Sequence, residues 1–598
     1  MTPSTDSRPL LIWWICLGAI ALILLNAVRT WPEVGNLIFL TDNDDLMRLV
    51  QVRDWLGGQD WFDTRQYRVL PPEGISMHWS RYVDAGIASV LIPLSGLVPM
   101  PEAELLTLVI WPTLLACLMV LVIGLGTNRL FGPLAALGAL VVFLTWGKLR
   151  GEFTPPRIDH HNVQMLCATA ALFLAVLPGR ERLFGALAGI ATAMSLAVGL
   201  EMLPVLALIP GYIAVRHAFD QPGAGRWLLG YGPALAVSAP LLLAGQAKSW
   251  TAMHCDVLAP PVLALAATGI MATLVPVLAA GHLRGPVLRI VVMVALVALG
   301  LWLSAPLLSP CLAGPYADIP PDVRALIESR IIEALSAAEL ISVLPEMLVK
   351  SLLPPLVILV LAAAAAAALW SRLGQVQRTA LALAFLVALA GLAVALLQIR
   401  ATTLMVPALP LLGGFLAYAF GQIPRSSFWR LPALLLLAVA TPTAVEEAVP
   451  WVVSRAAPQV AAVSPAPPHS TAPGSCRSPA AMAELASLPP STLFSTLNLG
   501  TTILAFTPHS VASAPYHRSP DAFWNGIAAP ESETNMRTAL ARSGADYLVL
   551  CAGEAAKPYA AQLLQGDLPD WLTDVSDGRR LWRVYLVDQV GLAGVVGQ

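Results

Sequence analysis

Runs of about twenty mostly apolar residues recur along this sequence. Nothing constrains its fold more, because each run is long enough to cross the roughly 30 Å hydrocarbon core of a bilayer as a helix. The runs lie near 10–28, 102–126, 131–147, 162–178, 184–200, 202–215, 227–245, 260–280, 287–308, 346–370, 379–398, 402–420 and 430–448. That is about thirteen candidate spans on the length criterion. The sixth is short and reads as a broken or tilted helix. The run Ala85–Met100 carries Pro93 and Pro99 and reads as interfacial. The first span has no small-residue cleavage site after it and reads as an anchor. Composition agrees: 57% of residues are hydrophobic and 12% charged, and mean hydropathy is +0.71. Soluble domains carry about 25% charged residues, so the bilayer is the expected solvent. A net charge of -2 gives no basic excess for nucleic acid.

Arginines in short loops set the orientation. With the N-terminus and Arg8 cytoplasmic, the inner loops hold Arg129, Arg180 and Arg182, Arg216 and Arg226, Arg284, Arg372 and Arg378, and Arg425 and Arg430. The same alternation places 29–101, 148–161, 246–259, 309–345 and everything after about Pro450 outside. The expected fold is an all-α polytopic membrane domain over 1–450, a Pro/Ala/Ser-rich linker over 451–475, and a small extracytoplasmic α/β domain over 476–598. In that last domain the pattern predicts helices over 480–486 and 534–543. It predicts strands over 492–506, 546–551 and 581–587.

Cys16, Cys117 and Cys167 lie in apolar runs and read as buried hydrophobes. Cys255, Cys311, Cys476 and Cys551 fall on the outer side. An even number there predicts disulfides, with Cys255–Cys311 and Cys476–Cys551 as the favoured pairs.

Chemistry-bearing residues concentrate in the outer loops. The first holds Thr41-Asp42-Asn43-Asp44-Asp45, then Arg53-Asp54. Carboxylates this dense repel one another unless a cation offsets them, although acids also cap helix N-termini. The second holds Arg157-Ile158-Asp159-His160-His161. Asp-x-His suits one cation, and Arg157 could be the ion-pair partner of Asp159. Glu333 follows the ninth span, among Glu328, Arg330 and Glu339 on an expected amphipathic helix. Arg400 follows the eleventh span, and its planar fork suits a phosphate. Carboxylates and an imidazole for a metal, with an arginine for phosphate, describe a site for phosphate departure at the membrane surface.

These features together resemble the catalytic subunit of oligosaccharyltransferases, in the C-type glycosyltransferase (GT-C) superfamily. Asn43-Asp44 through Arg53-Asp54 resembles the family's first-loop segment, whose aspartate binds metal and engages the acceptor. Asp159-His160-His161 resembles its second-loop acidic motif. Ile331-Ile332-Glu333 is similar to the end of its fifth-loop motif, and Arg400 resembles the arginine that holds the lipid diphosphate. The family's Trp-Trp-Asp sequon reader has no match here; Asp570-Trp571 and Phe523-Trp524-Asn525 differ from it. Transfer to asparagine is therefore not implied.

The resemblance implies transfer of a sugar or glycan from a polyprenyl phosphate or diphosphate to a lipid, glycan or protein acceptor. The expected place is the periplasmic face of a bacterial inner membrane. Asp44 and Glu333 are the expected catalytic residues. Asp44, Asp159, His161 and Glu333 would hold Mg²⁺ or Mn²⁺. Arg400, His160, Tyr516, His517 and Arg518 would contact substrate. A transporter or flippase of a lipid-linked glycan is the alternative, but such proteins place ionisable groups within spans. Here the charges sit in loops, with Glu201, at a possible span break, the main exception.

Overall fold

The computed structural model describes residues 9–246, 249–314, 316–317, 319–456, 475–552 and 557–596. Among the described residues, eight helices are long and apolar enough to cross a membrane, and two bent pairs bring the number to ten. A count of about thirteen is reached only if the shorter apolar helices Pro133–Thr145, His161–Val176 and Leu203–Ala218 also cross. The chain is a multi-pass membrane protein. Its outward side chains match that solvent: Trp14, Val287, Val294 and Trp302 are all well exposed.

Proline starts many of these helices, where its missing N–H costs nothing; Pro133, Pro260, Pro286 and Pro345 are examples. Between Met100–Phe131 and Pro133–Thr145 the chain turns at Gly132, whose φ of 89° a side chain would disfavour. The helices Glu181–Val198 and Ala224–Gln246 approach so closely that a Cβ at Gly185 would lie 2.0 Å from the Trp227 carbonyl. Small residues four apart, Gly185 and Gly189, permit that packing.

The loop over 29–101, expected on the outer side, is well built. It contains the helix Asn43–Leu56, an antiparallel ribbon of β1 (Arg65–Gln66) and β2 (Ile75–Ser76), and the helix Arg81–Ser95. A fully buried ion-pair group ties it together: Asp84 accepts from Arg48 at 2.8 Å and from Arg81 at 3.0 Å.

The C-terminal part carries a five-stranded sheet of β3 (Thr492–Phe494), β4 (Ser510–Val511), β5 (Tyr547–Cys551), β6 (Leu572–Asp574) and β7 (Trp582–Val587). Its order is β4-β3-β5-β7-β6, parallel at β4-β3-β5 and antiparallel beyond. The first outer loop adds to the β4 edge: Leu70 donates to the Val511 carbonyl and Val511 to that of Arg68, both at 2.8 Å. The expected strand over 492–506 ends at Phe494. Gly500–Phe506 is a helix, because Leu499 and Ile503 lie four apart and bury into the core together with Leu504. The expected linker lies mostly outside the described residues, and the helix Pro442–Ala456 leads into it. Both expected disulfides are present, Cys255–Cys311 and Cys476–Cys551, and Cys16, Cys117 and Cys167 are free.

Candidate active site

The three carboxylates at the start of Asn43–Leu56 have three different tasks. Asp42 is the N-cap, and its oxygen accepts from the Asp44 amide at 3.5 Å. Asp45 is fully buried. One of its oxygens accepts from the backbone N–H of Ile158 at 2.8 Å and of Asp159 at 2.9 Å; the other accepts from Arg157 at 2.8 Å. Burial pushes the Asp45 carboxyl up to about 7 despite Arg157. Asp44 remains, and its side chain makes no hydrogen bond or ion pair among the described residues. Burial, then Asp159 and Asp42, push its carboxyl well above the usual range, against the pull of His160 and His161.

Arg157 is thus not the partner of Asp159, as sequence adjacency implied. It pairs with Asp45 and with Glu152, at 2.8 Å each. Asp159 instead faces two imidazoles: one oxygen lies 2.5 Å from His160 Nδ1 and the other 2.5 Å from His161 Nδ1. Burial would raise this carboxyl, but the two histidines outweigh it and hold it well below the usual range.

His160, expected to touch substrate, has its contacts within the protein. The residue is buried, and both ring nitrogens are taken, by Asp159 and by Glu201 at 3.2 Å. Its ring also meets Trp79, 5.9 Å away. It positions Asp159. Glu201 is the site residue that no motif marks. It lies between Glu181–Val198 and Leu203–Ala218, and its other oxygen accepts from Gln164 at 2.7 Å. A signal for it exists, since the alternation of spans puts that turn on the same side as the acidic loops.

Arg400 opens the short 3-10 helix Ile399–Met405, which bends by 54° into Leu409–Gly421. It donates to the Tyr316 hydroxyl at 3.2 Å and lies within electrostatic range of both Glu201 and Glu333. Glu333 does not join the Asp159–His160–His161 cluster, whose ligand atoms lie within 4.8 Å of one another. It is exposed on the single turn Ile332–Ala334, not on a continuous helix. The helix breaks there because Ser336 and Glu339 form a capping box that starts a new one.

Tyr516, His517 and Arg518, expected on the substrate, each have partners within the protein. Tyr516 is buried and donates to the Asn43 carbonyl at 3.1 Å. His517 and Arg518 both hold Asp256. Asn43 meets the same domain through its side chain, which accepts from Thr501 at 2.6 Å and Arg477 at 2.8 Å. A cavity of about 560 Å³ opens beside this helix start, lined among others by Asn26, Thr41, Asp42, Arg150, Thr154 and Arg157.

The residues fit a divalent cation. Asp159 and His161 offer ligand atoms within 4.8 Å of one another, and Asp44, outside that group, lies within electrostatic range of both, so that together they make a hard oxygen and imidazole set.

The fold is that of a polytopic membrane protein with a C-terminal α/β region. Among solved structures it is similar to AglB, the oligosaccharyltransferase of Archaeoglobus fulgidus. With AglB in complex with an inhibitory peptide and a dolichol-phosphate, the TM-score is 0.60 at 14% identity, over 90% of this chain and 69% of that chain. With the apo form of the same enzyme it is 0.57 at 15% identity, again over 90% and 69%. At this identity the likeness is one of fold. No protein-family model and no curated protein matched the chain.

Proposed function

We propose that this protein is a membrane glycosyltransferase. It moves a sugar or glycan from a polyprenyl phosphate or diphosphate to an acceptor at the outer, periplasmic face of a bacterial inner membrane. One observation carries the reading: Asp44, half-buried and without a side-chain partner among the described residues, lies within electrostatic range of Asp159 and His161 where loops meet the ends of apolar helices. AglB supports it by fold, and its solved forms include one with dolichol-phosphate, one with an acceptor peptide containing the NVT sequon and one with Zn and sulfate.

The acceptor enters through the cavity beside Asp42 and presents a hydroxyl or amide to Asp44. That carboxylate orients the nucleophile and takes its proton. The nucleophile attacks the anomeric carbon, the bond to the phosphate oxygen breaks, and the carrier phosphate departs. Asp44, Asp159 and His161 would hold Mg²⁺ or Mn²⁺. When bound, the ion neutralises charge on the leaving phosphate. Glu201 and His160 fix the angle of Asp159. Arg400 reaches the phosphate from the other side with its planar fork. Glu333, beside Arg400, acts on the donor side.

The test is transfer by purified protein from radiolabelled polyprenyl-linked sugars to cell-envelope fractions. Label should move into an envelope component with wild type and not with Asp44→Ala. Equal transfer by both proteins would overturn the reading.

A further inference from the structure

A second set of metal-ligating side chains lies outside this site. His78 follows β2, Asp256 sits beside the Cys255–Cys311 disulfide, and His517 comes from the C-terminal domain. One ligand atom from each lies within 4.8 Å of the others. The His78 and His517 ring centroids are 4.5 Å apart, and His517 Nε2 is 2.7 Å from Asp256 Oδ2. Trp79 divides the two clusters, its ring 5.2 Å from His78 and 5.9 Å from His160.

We propose that His78, Asp256 and His517 form a binding site for a divalent transition metal, of the Zn²⁺ class, that clamps the C-terminal domain to two outer loops of the membrane domain.

Two imidazoles and a carboxylate are borderline ligands that suit zinc better than magnesium or calcium. Donors at about 2.0–2.2 Å from one tetrahedral ion lie ~3.3 Å apart, so the His517–Asp256 pair needs only a small opening to admit one. His78 Nδ1 is buried and has no hydrogen-bond partner, a donor set aside from the protein's own bonding. Arg518 grips both Asp256 oxygens, at 2.8 and 2.6 Å, and donates to the Met77 carbonyl at 3.1 Å. That is the outer support that orients a ligating carboxylate. A cavity of about 270 Å³, lined by His78, Arg518, Gln246 and His254 among others, adjoins the cluster and supplies an entry path and room for a water ligand.

The test uses the full chain in detergent, stripped with chelator, reloaded with Zn²⁺ and dialysed, with bound zinc counted by mass spectrometry. His78→Gln and His517→Gln should each bind one zinc fewer than wild type. Asp44→Ala should keep that ion. Arg518→Gln should retain the stoichiometry and bind about 10–100-fold more weakly. Zinc should also slow amide exchange over 512–519 in wild type and not in His78→Gln. Because a misfolded variant would also lose zinc, X-ray absorption on zinc-loaded His161→Gln serves as an independent measurement. Its zinc should show two imidazole nitrogens. A shell without imidazole, or the same zinc content in wild type and both histidine variants, overturns the site.

Discussion

Asp45 accepts a hydrogen bond from the backbone N–H of Asp159 at 2.9 Å across 114 positions of sequence. With the bond from Ile158 beside it, this contact registers the first acidic segment against the second. Asp45→Ala leaves two buried N–H donors without an acceptor and Arg157 short of one partner. Each buried donor left unsatisfied costs about 1–3 kcal/mol. The melting temperature of the purified protein should fall and transfer should drop with it. An unchanged melting temperature would remove Asp45 from this role.

Asp44 should behave in the opposite way. Its side chain makes no hydrogen bond among the described residues, and burial and the neighbouring Asp159 disfavour its charged form. Asp44→Ala should leave stability unchanged or slightly raised, while transfer falls by about 10²–10⁴-fold, the usual contribution of a positioned general base. A large loss of stability with full specific activity in the folded fraction would reverse the assignment.

Removal of divalent ions should act at the same place. Chelator-treated protein should lose transfer, and Mg²⁺ or Mn²⁺ should restore it. Asp159→Asn should need more ion for the same rate, because the hard carboxylate becomes a weaker amide ligand. Full activity in chelator would show that the carboxylates work without a cation.

Arg400 has one described hydrogen bond, to Tyr316, which leaves the rest of its fork for a ligand. Charge-assisted bonds contribute about 1.5–3 kcal/mol, so Arg400→Ala should raise the KM for the lipid donor by roughly 10–100-fold. The acceptor KM should stay where it is. Lysine cannot restore a planar two-point contact, and Arg400→Lys should remain impaired. A shift confined to the acceptor KM would move Arg400 to the other substrate.

The disulfide Cys476–Cys551 joins the entry of the C-terminal domain to its central strand β5. Losing such a bond typically costs about 2–5 kcal/mol. Cys476→Ser with Cys551→Ser should lower the domain's resistance to urea without altering donor KM. Equal resistance would mean that the sheet holds without the link.

Much of the fold and site is legible from periodicity. Span length, arginine-bearing short loops and Asp-x-His each come from local pattern, and they suffice to expect Asp44, Asp159 and Arg400 at one end of the spans. The tasks of neighbours cannot. Asp42, Asp44 and Asp45 look alike in sequence, yet one caps, one pins a distant backbone and one is left unpaired. The difference depends on which face of the helix meets residues 158–159, a tertiary fact. The protein partners of His160 and Tyr516 are hidden from the sequence for the same reason: they come from distant parts of the chain. Glu201 escapes the motifs because a glutamate between apolar runs resembles a transport residue. Glu333 reads as helical from the apolar pattern alone, and the capping signal at Ser336 overrides that pattern.

The segment 68–70 lies along β4 and completes the backbone bonding of that edge. A domain cut away from the membrane part would leave the N–H and C=O of Val511 unpaired on the β4 edge, a place where a second copy can add a strand. The excised C-terminal domain should therefore self-associate at concentrations where the full chain does not, and a peptide spanning 65–76 should suppress it. The loop that carries Asp44 is in this sense also the intramolecular chaperone of the domain that covers it.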